Sequence, residues 1–171
     1  SILSGPNQDQ WIMPSYESLF FLAEAQARGW MTGDAAATFR TAIKESFLLL
    51  GVEQDIDAKV DDYMENSGVA DYAGATTLND RIDLILIQKY IANTTIDALE
   101  SYSDIRRTNF LQRSGLVDAL GTTYISQNEG RISVNLPVRL LYPQSEYTTN
   151  ADNVNQQGSI NAFTSKIFWQ P

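Results

Sequence analysis

Carboxylates, cations and aromatic rings are the chemically useful side chains of this sequence, because it contains no Cys and no His. Without a thiolate or an imidazole, Ser-His-Asp and Cys-His catalysis and nearly all zinc sites are excluded. Any chemical step would rest on acids, Lys, Tyr or a hard cation. Glu17 and Glu24 share one helical face, and Asp104, Arg106 and Arg107 stand near a later helix end. A carboxylate pair hydrolyses glycosidic bonds when its members face each other roughly 5–10 Å apart across a cleft. Nothing in the sequence builds such a cleft, so these acids are expected to make ion pairs or bonds to irregular backbone, as are Arg139 and Glu146. Asp55, Asp57, Asp61 and Asp62 are dense enough to suggest calcium. They lack the glycine-bearing loop and terminal Glu of an EF-hand, and they read as a solvated helix face. No metal and no cofactor are expected.

Aromatic rings offer a different chemistry, stacking on the apolar face of a sugar. Trp11 is the candidate ligand-binding residue, since it precedes the first helix in an irregular segment where a binding side chain is exposed. The weightier reading of the same residue is a tryptophan that covers the helical core. Trp30 sits in a hairpin turn and suits packing or a partner contact, and Trp169 suits an anchor for the C-terminal segment. Lys89 falls in the helix that reads as buried. A buried cation needs a partner, so a structural ion pair is expected there. Asn93-Thr94-Thr95 is a formal glycosylation sequon, discounted because its context is helical.

The elements that carry these residues are mostly helices. Pro6 and Pro14 keep the first fourteen residues irregular. Ser15 is placed to cap a helix over Tyr16–Arg28, with apolar residues at 16, 19, 20, 23 and 27, and Gly29 stops it. Asp34 caps a second helix whose apolar face runs Ala35, Phe39, Ala42, Ile43, Phe47 and Leu50, ending at Gly51. So short a link makes the pair an antiparallel hairpin. A third, acid-rich helix over Glu53–Glu65 is expected to face solvent. Asn79 or Asp80 opens a long segment in which Leu84-Ile85-Leu86-Ile87 is apolar all round, the mark of a buried helix. Asn93-Thr94-Thr95 interrupts it before Ile96–Arg107. From Thr108 the helical signal fades; Arg131–Leu136 is the best strand candidate in a long irregular stretch.

The balance of 12 Lys and Arg against 21 Asp and Glu gives a net charge of −9. This balance argues against nucleic acid as a partner, because phosphate binding calls for clustered cations. The 43% apolar and 11% aromatic content of 171 residues excludes a disordered chain. No stretch approaches the roughly 20 apolar residues of a membrane-spanning helix. Ser1-Ile2-Leu3-Ser4-Gly5 has no Met and no signal pattern, and reads as a cut or processed end.

Ala35, Phe39, Ala42 and Ile43 also match the second helix of a tetratricopeptide unit, with Leu22-Ala23-Glu24-Ala25 and Gly29 as the first. Tyr16-Glu17-Ser18-Leu19-Phe20-Phe21-Leu22-Ala23-Glu24-Ala25 with Arg28-Gly29-Trp30 resembles the alanine-rich helix of the SusD/RagB family. Ile87-Gln88-Lys89-Tyr90-Ile91-Ala92, then Glu100 and Asp104-Ile105-Arg106-Arg107-Thr108, is similar to its next hallmark. Pro137-Val138-Arg139-Leu140-Leu141-Tyr142-Pro143 with Glu146 and Asn150 is similar to the C-terminal one, and Lys166-Ile167-Phe168-Trp169 suits the family's ending. Four motifs in order across 16–169 make the combination specific.

The resemblance implies a mainly α fold of tetratricopeptide-like hairpins with a long irregular C-terminal segment. It implies a binding protein rather than an enzyme: an outer-membrane, cell-surface lipoprotein, lipid-anchored through an N-terminal segment outside this chain. Such a protein captures an oligosaccharide or peptide and delivers it to a TonB-dependent, SusC-like transporter. Residues 1–107 are then the helical, tetratricopeptide-like part and 108–171 an irregular segment packed on the same domain. Because family members are several times longer, the remaining N-terminal part of the same protein is expected to pack against these helices. The alternative is a tetratricopeptide-type scaffold that binds protein partners and no sugar.

Overall fold

A computed structural model describes residues 5, 7, 11–94, 96–110 and 137–170. The described secondary structure is helical: α1 (Ser15–Ala27), α2 (Ala35–Leu49), α3 (Ile56–Asn66), α4 (Leu78–Asn93), α5 (Ala98–Thr108), α6 (Gln144–Thr149) and α7 (Ala151–Gln156). The mainly α, hairpin-based fold is therefore the one expected. The chain divides into two compact units, Ser1–Ile105 and Arg106–Pro171.

In the first unit α1 and α2 form the predicted hairpin, and α4 packs on both. Phe20 and Phe39 meet edge-on at 6.2 Å, with Tyr16 against Phe20 at 6.3 Å. Wholly buried Ala23 and Ala42 give these rings room, which is the small-residue logic of a tetratricopeptide pair. Each buried phenylalanine contributes roughly 1.5–3 kcal/mol by leaving water.

The helix ends explain the hairpin's shape. Arg28 closes α1, and Gly29 follows at φ 74°, with Gly29 N–H bonded to Gln26 O and Trp30 N–H to Ala25 O. This is a Schellman motif, whose left-handed residue is free of steric cost only as glycine. Gly51 ends α2 in the same way, through Gly51 N–H to Leu48 O and Val52 N–H to Phe47 O. Leu50 is consequently exposed at the helix end instead of completing the apolar face. Asp34 caps α2 as expected, accepting from Ala36 and Ala37 N–H. Ser15 does not cap α1: Pro14 holds that position, and the Ser15 hydroxyl donates to Glu45 across the hairpin.

Three further boundaries differ from expectation. The third helix starts later, at Ile56, after Asp55 in the left-handed region. It also buries a face, because Val60 is wholly inside and Tyr63 packs edge-on to Phe47 at 5.3 Å. Its acids are not simply solvated: Asp57 and Asp61 reach Arg40 and Lys44 on α2. The cap of α4 is Thr77, which forms a capping box with Asp80, and Asp97 caps α5 through Leu99 and Glu100 N–H. The expected burial of α4 is confirmed at Ile85, Leu86 and Ile87.

In the second unit the irregular stretch contains two six-residue helices, α6 and α7, too short to leave a periodic signal. Val138 and Arg139 N–H both bond Ala162 O, and Glu146 accepts from Asn150. Glu146 thus makes a helix-end bond, and Arg139 donates to Leu140 O and lies over Tyr142 at 5.7 Å. The strand candidate Arg131–Leu136 lies outside the described residues.

Candidate functional site

The chemically charged centre of the first unit is Lys89. Its Nζ lies 2.9 Å from Asp104, 3.4 Å from Glu100 and 3.7 Å from Glu17, and the residue is 1% exposed. Helix α1 supplies Glu17, α4 supplies Lys89 and α5 supplies the other two acids. Phe21 covers the ammonium at 3.6 Å from its ring centroid, a favourable cation–π contact. Asn93, wholly buried, donates through Nδ2 to Glu17 at 3.2 Å. That burial also disposes of the sequon. Burial pushes the Glu17 carboxyl above its usual range, against the lowering effects of Asn93 and Lys89; Glu100 and Asp97 push it up further. Burial likewise raises the neighbouring Tyr16 phenol to about 12, with Glu17 and Asp97 adding to it, while Tyr16 donates to Ala92 O.

Glu17 and Asp104 therefore meet around one ammonium as its counter-ions. Glu24 is committed elsewhere, to Arg28 at 2.7 Å. The two acids on one face of α1 serve two different cations, and no pairing of Glu17 with Glu24 forms. Asp57 and Asp61 are held below the usual carboxylate range, Asp57 by Lys44 and then Arg40, Asp61 by Arg40. Among the described residues no group of acids is arranged to hold a metal ion.

Aromatic side chains remain for recognition. Trp11 is half-buried ahead of α1 and makes interactions of its own within the chain. Trp30, in the α1–α2 turn, is 71% exposed, with the Arg28 guanidinium 5.1 Å from its ring centroid and exposed Met31 beside it. In the second unit Arg106 lies 4.8 Å over the Trp169 ring and donates to Val138 O at 2.8 Å. Trp169 itself stays 41% exposed, next to fully exposed Phe168.

A shallow hollow opens at the start of α2, with Asp34, Tyr72 and Arg81 on its walls. Neither Tyr72 nor Arg81 stands out in the sequence as a candidate site residue. One signal was available: Arg81 is a cation in the opening turns of α4, where the helix dipole disfavours positive charge.

Residues 3–143 match the model of a family described as SusD-like, starch-binding and associating with the outer membrane. Three solved structures share the fold. A SusD homologue from Bacteroides fragilis NCTC 9343 has a TM-score of 0.68 at 23% identity, covering 94% of this chain and 35% of its own. A candidate outer-membrane, nutrient-binding protein from Bacteroides vulgatus ATCC 8482 has a TM-score of 0.70 at 26% identity, covering 98% and 36%. A second B. fragilis SusD homologue has a TM-score of 0.66 at 23% identity, covering 91% and 34%. The chain thus spans about a third of the length of the structures it matches. No curated protein matches it.

Proposed function

The chain belongs to the SusD-like family, described as starch-binding and associating with the outer membrane, and from that premise we propose that it is part of a cell-surface glycan receptor. The receptor is held at the outer membrane by a lipid anchor, captures an oligosaccharide, and passes it to a TonB-dependent, SusC-like transporter. Binding is by aromatic stacking and hydrogen bonds, with no chemical step. Trp11 contributes a stacking ring in this reading. Further chain of the same protein packs on these helices and completes the ligand surface, in keeping with relatives of which this chain covers only a third.

The observation that carries the proposal is how the charged residues of the family-like segments are used. Lys89, Glu17 and Asp104 neutralise one another inside the fold, which favours a rigid framework over an acid–base site. A specific feature supports the transporter: exposed Trp30, braced by Arg28, has the composition of a protein-interface anchor. The same feature would serve a protein-binding scaffold, so the test must read sugar and partner separately. We expect the complete protein to retain a starch-type oligosaccharide on an affinity gel and to co-purify with an outer-membrane transporter. Trp30→Ala should release the transporter alone. Retention of partner with no affinity for any glycan would replace this reading with the scaffold.

A further inference from the structure

The hollow at the start of α2 measures about 480 Å3 and is shallow, open to solvent along most of its rim. Gly33, Ala35 and Ala73 line it with little bulk, so its polar wall residues are not crowded out. Three of these have hydrogen-bonding capacity that the described protein does not use. Arg81 donates from Nε to Ala75 O at 3.2 Å, and its guanidinium carbon lies 5.9 Å from the Tyr72 ring centroid. These contacts fix the plane of the guanidinium, while its Nη groups meet no carboxylate among the described residues. Asp34 caps α2 through Oδ1, taking Ala36 N–H at 3.0 Å and Ala37 N–H at 3.1 Å. Its Oδ2 remains available as an acceptor. The Tyr72 ring is engaged by Phe39 at 5.4 Å and by Arg81, so what it offers a ligand is its hydroxyl. Burial raises that hydroxyl's pKa, Arg81 lowers it and Asp34 raises it, as three groups converging on one space would.

A fixed donor, a charged acceptor and a hydroxyl that does both are the complement of a vicinal diol, whose hydroxyls each donate and accept. Asp34 and Arg81 put one charge of each sign on its walls, so the hollow carries no net charge of its own and suits a neutral ligand. We propose that this hollow binds one neutral sugar residue through its hydroxyls, with Arg81 donating, Asp34 accepting and Tyr72 bridging. The proposal rests on the glycan-capture reading above and adds to it a subsite lined by neither Trp11 nor the Lys89 cluster.

The test is titration calorimetry of the complete protein with maltoheptaose, xylohexaose and, as a peptide probe, hexa-alanine. Arg81→Leu and Asp34→Asn should each weaken sugar binding about tenfold or more, as loss of a bond to a charged group does. Asn preserves the cap of α2, so its effect reports on the ligand. Tyr72→Phe keeps the ring against Phe39 and the melting temperature, and should weaken binding roughly three- to tenfold. If wild-type protein binds a sugar and all three folded variants bind it equally, the hollow is not the subsite and glycan capture stands. If hexa-alanine binds in place of sugar and the variants lose it, the carbohydrate assignment is overturned. If no sugar binds at all, the proposal and the reading beneath it both fail.

Discussion

Replacing Lys89 by Met tests whether the buried charge cluster holds α1, α4 and α5 together. Met fills most of the lysine's volume, so the change removes charge rather than packing. Asp104 loses a partner at 2.9 Å and Glu17 one at 3.7 Å, both carboxylates being nearly sealed from solvent. Glu100, with its side chain 43% exposed, stays hydrated and is left out of the count. Breaking a buried pair by removing one partner costs about 3–5 kcal/mol. At about 2–4 °C per kcal/mol for a chain of this size, the melting temperature should fall by roughly 6–20 °C at pH 7.

The pH dependence makes this prediction sharper. Burial already holds Glu17 above the usual carboxylate range, and Lys89 is one of the influences lowering it. Without Lys89 it rises further, so the folded state binds a proton that the unfolded chain releases. Stability from such a group is present below its ordinary pKa and lost as pH rises through the raised one. The deficit of Lys89→Met should therefore be smallest near about pH 4 and largest at neutral pH. Adding Glu17→Gln to Lys89→Met, which keeps an oxygen for Asn93, should restore part of the neutral-pH loss. Thermal melts followed by circular dichroism across that range decide the matter. A variant melting within about 2 °C of wild type at pH 7, or a deficit that grows on acidification, would refute the reasoning.

Two other perturbations probe the hairpin and the acid-rich helix. Gly33 has φ 142°, and a Cβ there would strike the Gln26 amide, which binds Thr32 O and the Thr38 hydroxyl. Gly33→Ala should destabilise by about 1–3 kcal/mol in urea denaturation, and an unchanged midpoint would show that the turn yields freely. Arg40→Leu should return the Asp61 carboxyl to its ordinary range and Asp57 only partly, because Lys44 remains. Depressed carboxyls stabilise above their ordinary pKa and lose that contribution as pH falls through the depressed one. The variant should accordingly be less acid-sensitive in that window, and carboxyl titration by NMR would expose unmoved Asp61 as a failure of this assignment.

Much of the helical framework was legible because local rules and packing agree. Gly29, Gly51 and Asp34 terminate or open helices through bonds made within a few residues of themselves. The apolar run Leu84–Ile87 announced burial by having no polar side. Where the reading failed, a distant group had intervened. Ser15 was drawn from its capping role by Glu45, thirty residues away. The acid-rich helix looked solvated, since neither Val60's place in the core nor the cations of α2 can be read from its own residues.

The class of fold, the exclusion of thiol and imidazole chemistry, and the need of Lys89 for a counter-charge are all set at the level of the amino-acid sequence. These follow from composition, period and the cost of burying charge, which do not depend on how helices are arranged. Tertiary structure decided which acids answer that need: Glu17 lies 72 residues before Lys89 and Asp104 fifteen after it. It alone also brought Asp34, Tyr72 and Arg81 to one hollow. Each of the three looks ordinary in its own segment, and only the packing of α4 and of the link before it beside the start of α2 brings them to a common space.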